Sequence, residues 1–295
     1  LGALSPLAIY YSQEARMYAL LGALSAASTL LLVRLLSSLQ SPLSNGRVGE
    51  TASGRTTTTI LYVLVAAAGL YTHYAFPFIL LVHNLIVAVW WLVVARRPGR
   101  PRWRWLAMWA GTQAAVAALY LPWLPIALDS VTGWRSAGQT HQPLTALANV
   151  LRWFSVGHTL PLAEGRWALI GFGLLLLIGL WPRKGRWFSV ISLALCLLAP
   201  VGLMFALDLY KPAWLKFLIV ALPPFHLLVA HGIVNLRSLV PSPQSPVFNL
   251  RSLVSMLLLA LTALVTFPSL HNLYVDPAYA RDDYRQIASD ISTAA

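Results

Sequence analysis

Acidic residues and cysteine are scarce in this chain, and charge of either sign is thin. Of 295 residues only 10% are charged, nine are Asp or Glu, and one is cysteine. A soluble globular domain carries about 25% charged residues, so such a domain is excluded. The 58% of hydrophobic residues instead calls for a polytopic membrane protein. Cys196 lies inside an apolar run, which leaves neither a disulfide framework nor a cysteine-based metal site. The net charge of +12 is not a nucleic-acid footprint, because the basic residues form short clusters between apolar runs, the pattern of cytoplasmic membrane loops. No signal-peptide pattern is visible and no internal repeat is evident. The chain starts at Leu1 rather than Met, which reads as a fragment without its original N-terminus.

What is present is a series of apolar runs, each needing about 20 residues to cross a bilayer. Residues 1–11 are apolar but too short to cross alone: the end of a lost span, or a helix lying in the interface. The expected spans are 17–36, a short one at 60–71, then 74–94, 106–124, 167–181, 187–207, 214–233 and 253–270. The fourth is expected to stop at Leu121-Pro122-Trp123-Leu124-Pro125, where two prolines cannot donate backbone hydrogen bonds. Between 125 and 166 no span fits, but Leu144, Leu147, Leu151 and Phe154 recur at helical spacing, predicting an amphipathic helix over 145–156 on the outer membrane surface. Tryptophans at span ends (Trp90, Trp91, Trp103, Trp105, Trp123, Trp167, Trp181, Trp187 and Trp214) supply an interfacial belt. The expected fold is an all-α integral membrane bundle of about eight helices over 1–270. Residues 271–295 begin a soluble tail, with Asp282-Asp283-Tyr284 opening a capped helix.

The charges orient this set. One group of alternate loops (37–59, 95–105, 182–186 and 235–252), with Arg34, holds Arg47, Arg55, Arg96, Arg97, Arg100, Arg102, Arg104, Arg183, Lys184, Arg186, Arg237 and Arg251, against the single acid Glu50. The other group holds Glu14, Asp129, Glu164, Asp208, Asp276, Asp282, Asp283 and Asp290. The first group is therefore expected in the cytoplasm and the second outside.

That topology gathers the unusual polar residues on the outer face: Gln13, Glu14, Arg16 and Tyr18 at the mouth of the first span, His73 and Tyr74 between the second and third, and Lys211 and Lys216 before the seventh. On a helix Glu14 shares a face with Tyr11 and Tyr18 while Arg16 follows Ser12 and Gln13 on another. One reading is an interfacial helix start with snorkelling ends. The other is a site for an amphipathic anion such as a lipid phosphate, with Arg binding phosphate oxygens through its fork, Lys as a point charge, and tyrosines offering faces to a sugar or isoprenoid. Candidate ligand-binding residues are thus Arg16, Gln13, Tyr18, His73, Tyr74, Lys211 and Lys216. Glu14 is a candidate base, or an ion-pair or hydrogen-bonding partner for its neighbours. His83, His226 and His231, within or at the ends of spans, read as buried hydrogen-bonding residues rather than ligands. No close His–acid pair signals a metal.

Ser5-Pro6, the run Tyr11-Ser12-Gln13-Glu14-Ala15-Arg16-Met17-Tyr18, Leu70-Tyr71-Thr72-His73-Tyr74, Tyr120-Leu121-Pro122-Trp123-Leu124-Pro125 and Tyr279-Ala280-Arg281-Asp282-Asp283-Tyr284-Arg285 together resemble the bacterial GT-C glycosyltransferases. The nearest group is that of the dolichyl-phosphate-mannose protein mannosyltransferases, aminoarabinose transferases and Rgt-type sugar transferases. The motifs occur in the same order over nearly the whole chain. The resemblance implies a polyprenyl-phosphate sugar donor, a lipid, glycan or protein acceptor, and inverting transfer at the extracytoplasmic face of a plasma membrane. It implies no obligatory cofactor, although relatives can bind a divalent ion. It also implies a catalytic acid in a first outer loop, upstream of Leu1. At Lys216-Phe217-Leu218 the chain departs from the Arg-Tyr that relatives often show. A multi-span transporter or lipid flippase, or a catalytically silent membrane subunit, would share the span count. A transporter, however, would place its polar residues near mid-membrane.

Overall fold

The computed structural model describes residues 1–13, 17–38, 52–93, 102–132, 141–239, 250–279, 289 and 291–293. Glu14 and Arg16 lie outside these, as do Arg47, Glu50, Arg96, Arg97, Arg100 and the tail segment around Asp282 and Asp283. The described chain is helical, with no strand among the described residues. Its α-helices are α1 (Pro6–Ser12), α2 (Tyr18–Ser38), α3 (Ala52–Thr72), α4 (Phe76–Val93), α5 (Arg102–Tyr120), α6 (Leu124–Thr132), α7 (Pro143–Ser155), α8 (Leu162–Gly179), α9 (Trp187–Ala206), α10 (Leu222–Leu239) and α11 (Leu250–Val275). Seven stretches among the described residues are long and apolar enough to cross a membrane: α2, α4, residues Trp103–Ser130, α8, α9, residues Pro212–Leu239 and α11. The chain is therefore built as a helical membrane bundle.

Several boundaries differ from the sequence expectation, each for a local reason. The loop expected over 37–59 gives way at Ala52 to α3, a 21-residue helix. The helix accommodates its threonine hydroxyls by letting them bond back along it: Thr57 donates to the Ser53 carbonyl (3.0 Å), Thr58 to that of Gly54 (3.0 Å) and Thr59 to that of Arg55 (2.9 Å). The expected stop at Pro122 and Pro125 is instead a 3₁₀ turn, Leu121–Trp123, leading straight into α6. Each proline sits in the opening turn of its element, where no amide donor is needed. α11 runs to Val275, through Pro268 and past the expected end at 270.

The amphipathic helix is α7, and only part of the expected stripe faces the bundle: Phe154 is buried and Leu151 packs against the core. Ala146, Val150 and Phe154 are buried against the bundle, whereas Leu144 is 82% exposed and Leu147 points outward as well. α1 packs into the bundle. Ser5 caps it by accepting the Ala8 amide (3.3 Å), and Leu7 and Tyr11 are buried in the main core cluster.

Side-chain contacts fix how the helices run. Tyr18, at the start of α2, meets His73 just after α3, and Thr29 and Tyr62, midway along the two helices, both bond His83 of α4. α2 and α3 are thus antiparallel. Tyr62 also meets Trp109, and the Tyr71 hydroxyl donates to the Leu119 carbonyl (2.9 Å), so α3 and α5 run in parallel. One end of the bundle collects residues 10–13, 17–18, 71–75, 119–123, 156–161, 204–217 and 269–279. The opposite end collects Arg55, Trp91, Trp103, Trp105, Trp181, Arg183 and Val234. α8 and α10 touch backbone to backbone: a Cβ at Gly179 or Gly232 would run into the carbonyls of Leu228 and Leu175. Such small-residue crossings are how helices associate closely where water supplies no driving force.

Candidate functional site

The first end of the bundle carries two cavities with a common wall. One, of about 270 Å³, is lined by Met17, Tyr18, Leu70, Tyr71, Thr72, His73, Tyr74, Trp123 and Phe217. The other, also about 270 Å³, is almost wholly apolar, with Phe78, Pro200, Met204, Leu207, Leu209, Trp214 and Leu218 around it. His73, Tyr74 and Phe217 line both. The sequence expectation placed His73, Tyr18 and Tyr74 together, and the structure does bring them to one cavity.

Local backbone chemistry sets His73. Its amide donates to the Gly69 carbonyl (3.2 Å) at the end of α3, and its own carbonyl accepts the Phe76 amide (3.0 Å) as α4 begins. Its Nδ1 accepts the Ala75 amide at 2.9 Å. A ring nitrogen that accepts carries no proton, so the neutral ring bears its hydrogen on Nε2. That N–H has no hydrogen-bond partner among the described residues. Burial, and secondarily the charge of Lys216, hold the His73 pKa down at about 4. The ring is therefore neutral at physiological pH, and a donor.

The hydroxyls around it act in the opposite sense. Tyr71 spends its proton on the Leu119 carbonyl (2.9 Å) and Thr72 on the Ala68 carbonyl (2.7 Å), so both show lone pairs to a ligand. Lys216 stands beside this cavity with Nζ 5.3 Å from the Tyr18 ring and 5.8 Å from that of Phe217, a cation held on aromatic faces. Lys211 sits 4.7 Å over Trp214, on the rim of the apolar cavity. Asp208, at φ 52°, closes α9 in the left-handed region while the Leu209 amide returns to the Met204 carbonyl (2.8 Å). This tight reversal delivers Lys211. The arrangement thus offers acceptors (Tyr71, Thr72) for ligand hydroxyls, donors and charge (His73, Lys216) for an anion, and a greasy annex.

Other expectations fall elsewhere. Gln13 donates to the Tyr274 hydroxyl (3.0 Å) and lines neither cavity. Trp123, expected in the interfacial belt, lines the hydroxyl-rich cavity. No carboxylate lines either cavity among the described residues, and no group of three metal-ligating side chains occurs among them. His83 is wholly buried in mid-bundle, with Nε2 3.0 Å from the Thr29 hydroxyl and Nδ1 3.0 Å from the Tyr62 hydroxyl.

Sequence reasoning missed an aromatic run that crosses this end of the bundle. Successive rings lie 5.8 Å apart for Tyr279–His158, 4.4 Å for His158–Tyr10, 5.0 Å for Tyr10–Tyr11, 5.2 Å for Tyr11–Tyr18, 5.8 Å for Tyr18–His73 and 4.8 Å for His73–Phe217. Beside it Arg152 of α7 donates through Nη1 to the Leu160 carbonyl (2.9 Å), and partial burial lowers its pKa. Gly157, at φ 75°, provides the turn that returns His158 to Tyr10. The combination Arg152…Gly157-His158 was the available signal, a basic residue and a turn glycine framing a histidine. Comparison of the chain with protein-family models, curated proteins and solved structures finds no match in any of the three.

Proposed function

We propose that the chain is the membrane part of a glycosyltransferase that takes a sugar from a polyprenyl-phosphate donor at the extracytoplasmic face. The observation that carries this reading is the pair of cavities sharing His73, Tyr74 and Phe217, one hydroxyl-lined and one apolar, with Lys216 beside the junction. A ligand suited to both has a hydroxylated head, an anionic joint and a long apolar tail. In this reading all eight spans cross, α3 included, and the end bearing His73 faces outward because the arginine-rich loops hold the other end in the cytoplasm. Tyr71 and Thr72 accept hydroxyl protons from the sugar. Lys216 and the His73 Nε2–H neutralise charge growing on the departing phosphate, with Arg16 supplying a bidentate contact and Lys211 a second charge at the rim. The general base that takes the acceptor proton is supplied by Glu14 or from upstream of Leu1. The acceptor is a lipid, glycan or protein. No cofactor is required.

A binding experiment tests the reading without depending on the base. The chain in nanodiscs is exposed to a polyprenyl-phosphate sugar carrying a photoreactive group on its isoprenoid, and the adducts are mapped by mass spectrometry. Saturable labelling of peptides containing Phe78, Met204 or Leu218, competed by unlabelled donor, is the expected result. Labelling that does not saturate, or that falls at the Trp181–Arg183 end, removes the transferase reading.

A further inference from the structure

At the other end of the bundle, far from the proposed donor site, a cleft of about 630 Å³ lies between the turn after α8 and the last turns of α10. Volumes of this order suit a ligand rather than a packing defect. Its polar side is Arg183 and Lys184 of the α8–α9 turn, with Asn235 of α10; its apolar side includes Leu177, Trp181 and Leu239. Trp181 is 75% exposed and Leu239 77%, so this wall faces whatever surrounds the bundle.

Asn235 is the informative residue. It is only 8% exposed, and its Nδ2 donates to two carbonyls, those of Ile178 (2.9 Å) and Trp181 (3.2 Å). Two carbonyl partners require the amide nitrogen at that position, so the other atom is the oxygen. That Oδ1 is buried without any donor. Buried acceptors are nearly always satisfied, and the Asn235 side chain forms part of the cleft wall. The cations are not consumed internally either. Arg183 reaches the Val234 carbonyl only at 3.5 Å, and Lys184 makes no hydrogen bond or ion pair among the described residues. The last carbonyls of α8 and α10 carry partial negative charge here, so an anion at this end needs both cations beside it.

We infer that this cleft binds the headgroup of an anionic glycerophospholipid bearing a free hydroxyl, of the phosphatidylglycerol type, from the leaflet at the arginine-rich end. The phosphodiester sits against Arg183 and Lys184, a headgroup hydroxyl donates to the Asn235 Oδ1, and an acyl chain lies along Leu177 and Leu239. Basic pockets between membrane helices have this use. The inference is independent of the transferase reading.

The test is a native mass-spectrometric titration of the purified chain in neutral detergent with phosphatidylglycerol, phosphatidylmethanol (the same charge without the hydroxyl) and phosphatidylcholine. One tight phosphatidylglycerol site is expected. Arg183→Gln/Lys184→Gln should weaken it about tenfold or more, and phosphatidylmethanol should bind wild type about three- to tenfold more weakly than phosphatidylglycerol. Lys184→Gln alone, which removes no bond among the described residues, should weaken binding in the same direction and guards against a folding defect. Arg104→Gln, an exposed cation at the same end but outside the cleft, should change nothing. Equal losses from Arg104→Gln, or equal binding of phosphatidylcholine, would overturn the site in favour of diffuse attraction. Equal binding of phosphatidylmethanol overturns the role of Asn235. Displacement by millimolar glycerophosphoglycerol overturns the lipid as occupant, making this a site for a soluble phosphodiester.

Discussion

Replacing Lys216 by Met separates the anionic joint of the proposed ligand from its tail. Met keeps most of the stem's length and apolar surface, so the 3₁₀ helix Pro212–Ala221 that carries residue 216 should still pack. The ammonium lost lies 5.3 Å from the Tyr18 ring and 5.8 Å from Phe217, and cation–π contacts of this kind are worth about 0.5–2 kcal/mol. That part should appear as a small fall in melting temperature. The larger effect falls on ligand. A charge-assisted hydrogen bond to phosphate contributes about 1.5–3 kcal/mol, which is about ten- to a hundredfold in dissociation constant. Polyprenyl phosphate should therefore bind Lys216→Met about ten- to a hundredfold more weakly in nanodiscs, by displacement of a fluorescent analogue. Uncharged polyprenol should bind both proteins alike. Lys216→Arg should restore most of the phosphate preference. If Lys216→Met retains the wild-type ratio of polyprenyl phosphate to polyprenol affinity, Lys216 is only an aromatic anchor and the anion site is wrongly placed.

Two further outcomes follow from the polar groups around α4. His73 holds a pKa of about 4 against 6.5 for the unfolded chain, so between those values the unfolded chain binds the extra proton. Its contribution is complete above pH 6.5 and is lost as the pH falls through about 4. The gap corresponds to about 3 kcal/mol before water at the cavity mouth screens it, and to about 1–2 kcal/mol after. Melting temperature followed from pH 7 to pH 4 should fall more steeply for wild type than for His73→Gln, and parallel curves would refute the assignment. Tyr62→Phe should destabilise the bundle by about 1–3 kcal/mol in a thermal melt. Thr29 already donates to the Ser25 carbonyl (2.8 Å) and so accepts from His83, which leaves Nδ1 dependent on the Tyr62 proton. An unchanged melt would mean that the His83 link is not formed.

Long apolar runs made most of the helices legible, because a membrane span is a matter of length and composition. α3 was cut short in that reading because polar Thr56–Thr59 look like loop, while the back-bonding of Thr57, Thr58 and Thr59 to the preceding turn depends on geometry no composition reveals. Pro122 and Pro125 misled for a related reason: a proline ends a helix or begins one according to its position in the turn. α7 shows the limit of periodicity. Its spacing announced an amphipathic helix, but both Leu144 and Ala146 belong to plausible stripes, and only the neighbours decide which is buried. At the site, His73, Tyr74, Lys211 and Lys216 could be grouped because span ends on one side must share a surface. Gln13 obeyed the same logic yet turned to Tyr274, since a side chain at the right depth can still point around the bundle. The unpaired Asn235 oxygen had no sequence signal at all, being a statement about which carbonyls happen to be near.

The approach to α10 has a rotational consequence. Residues Pro212–Ala221 form ten consecutive residues of 3₁₀ helix, long for a winding usually confined to three or four. Pro223 and Pro224 follow at once, and neither can donate to the carbonyl four residues back, at Ile219 or Val220. The Leu222 amide bonds instead to the Ile219 carbonyl, three residues back. A 3₁₀ helix turns about 120° per residue and rises about 2.0 Å, against about 100° and 1.5 Å for an α-helix. Counted from Leu222 back to Lys216, the same six residues wound as α-helix would carry the ammonium about 120° around the axis and about 3 Å nearer mid-bundle. The bearing of Lys216 towards Tyr18 thus depends on the 3₁₀ winding that leads up to Pro223 and Pro224, in the way a key's teeth are aligned by the cut of its shank.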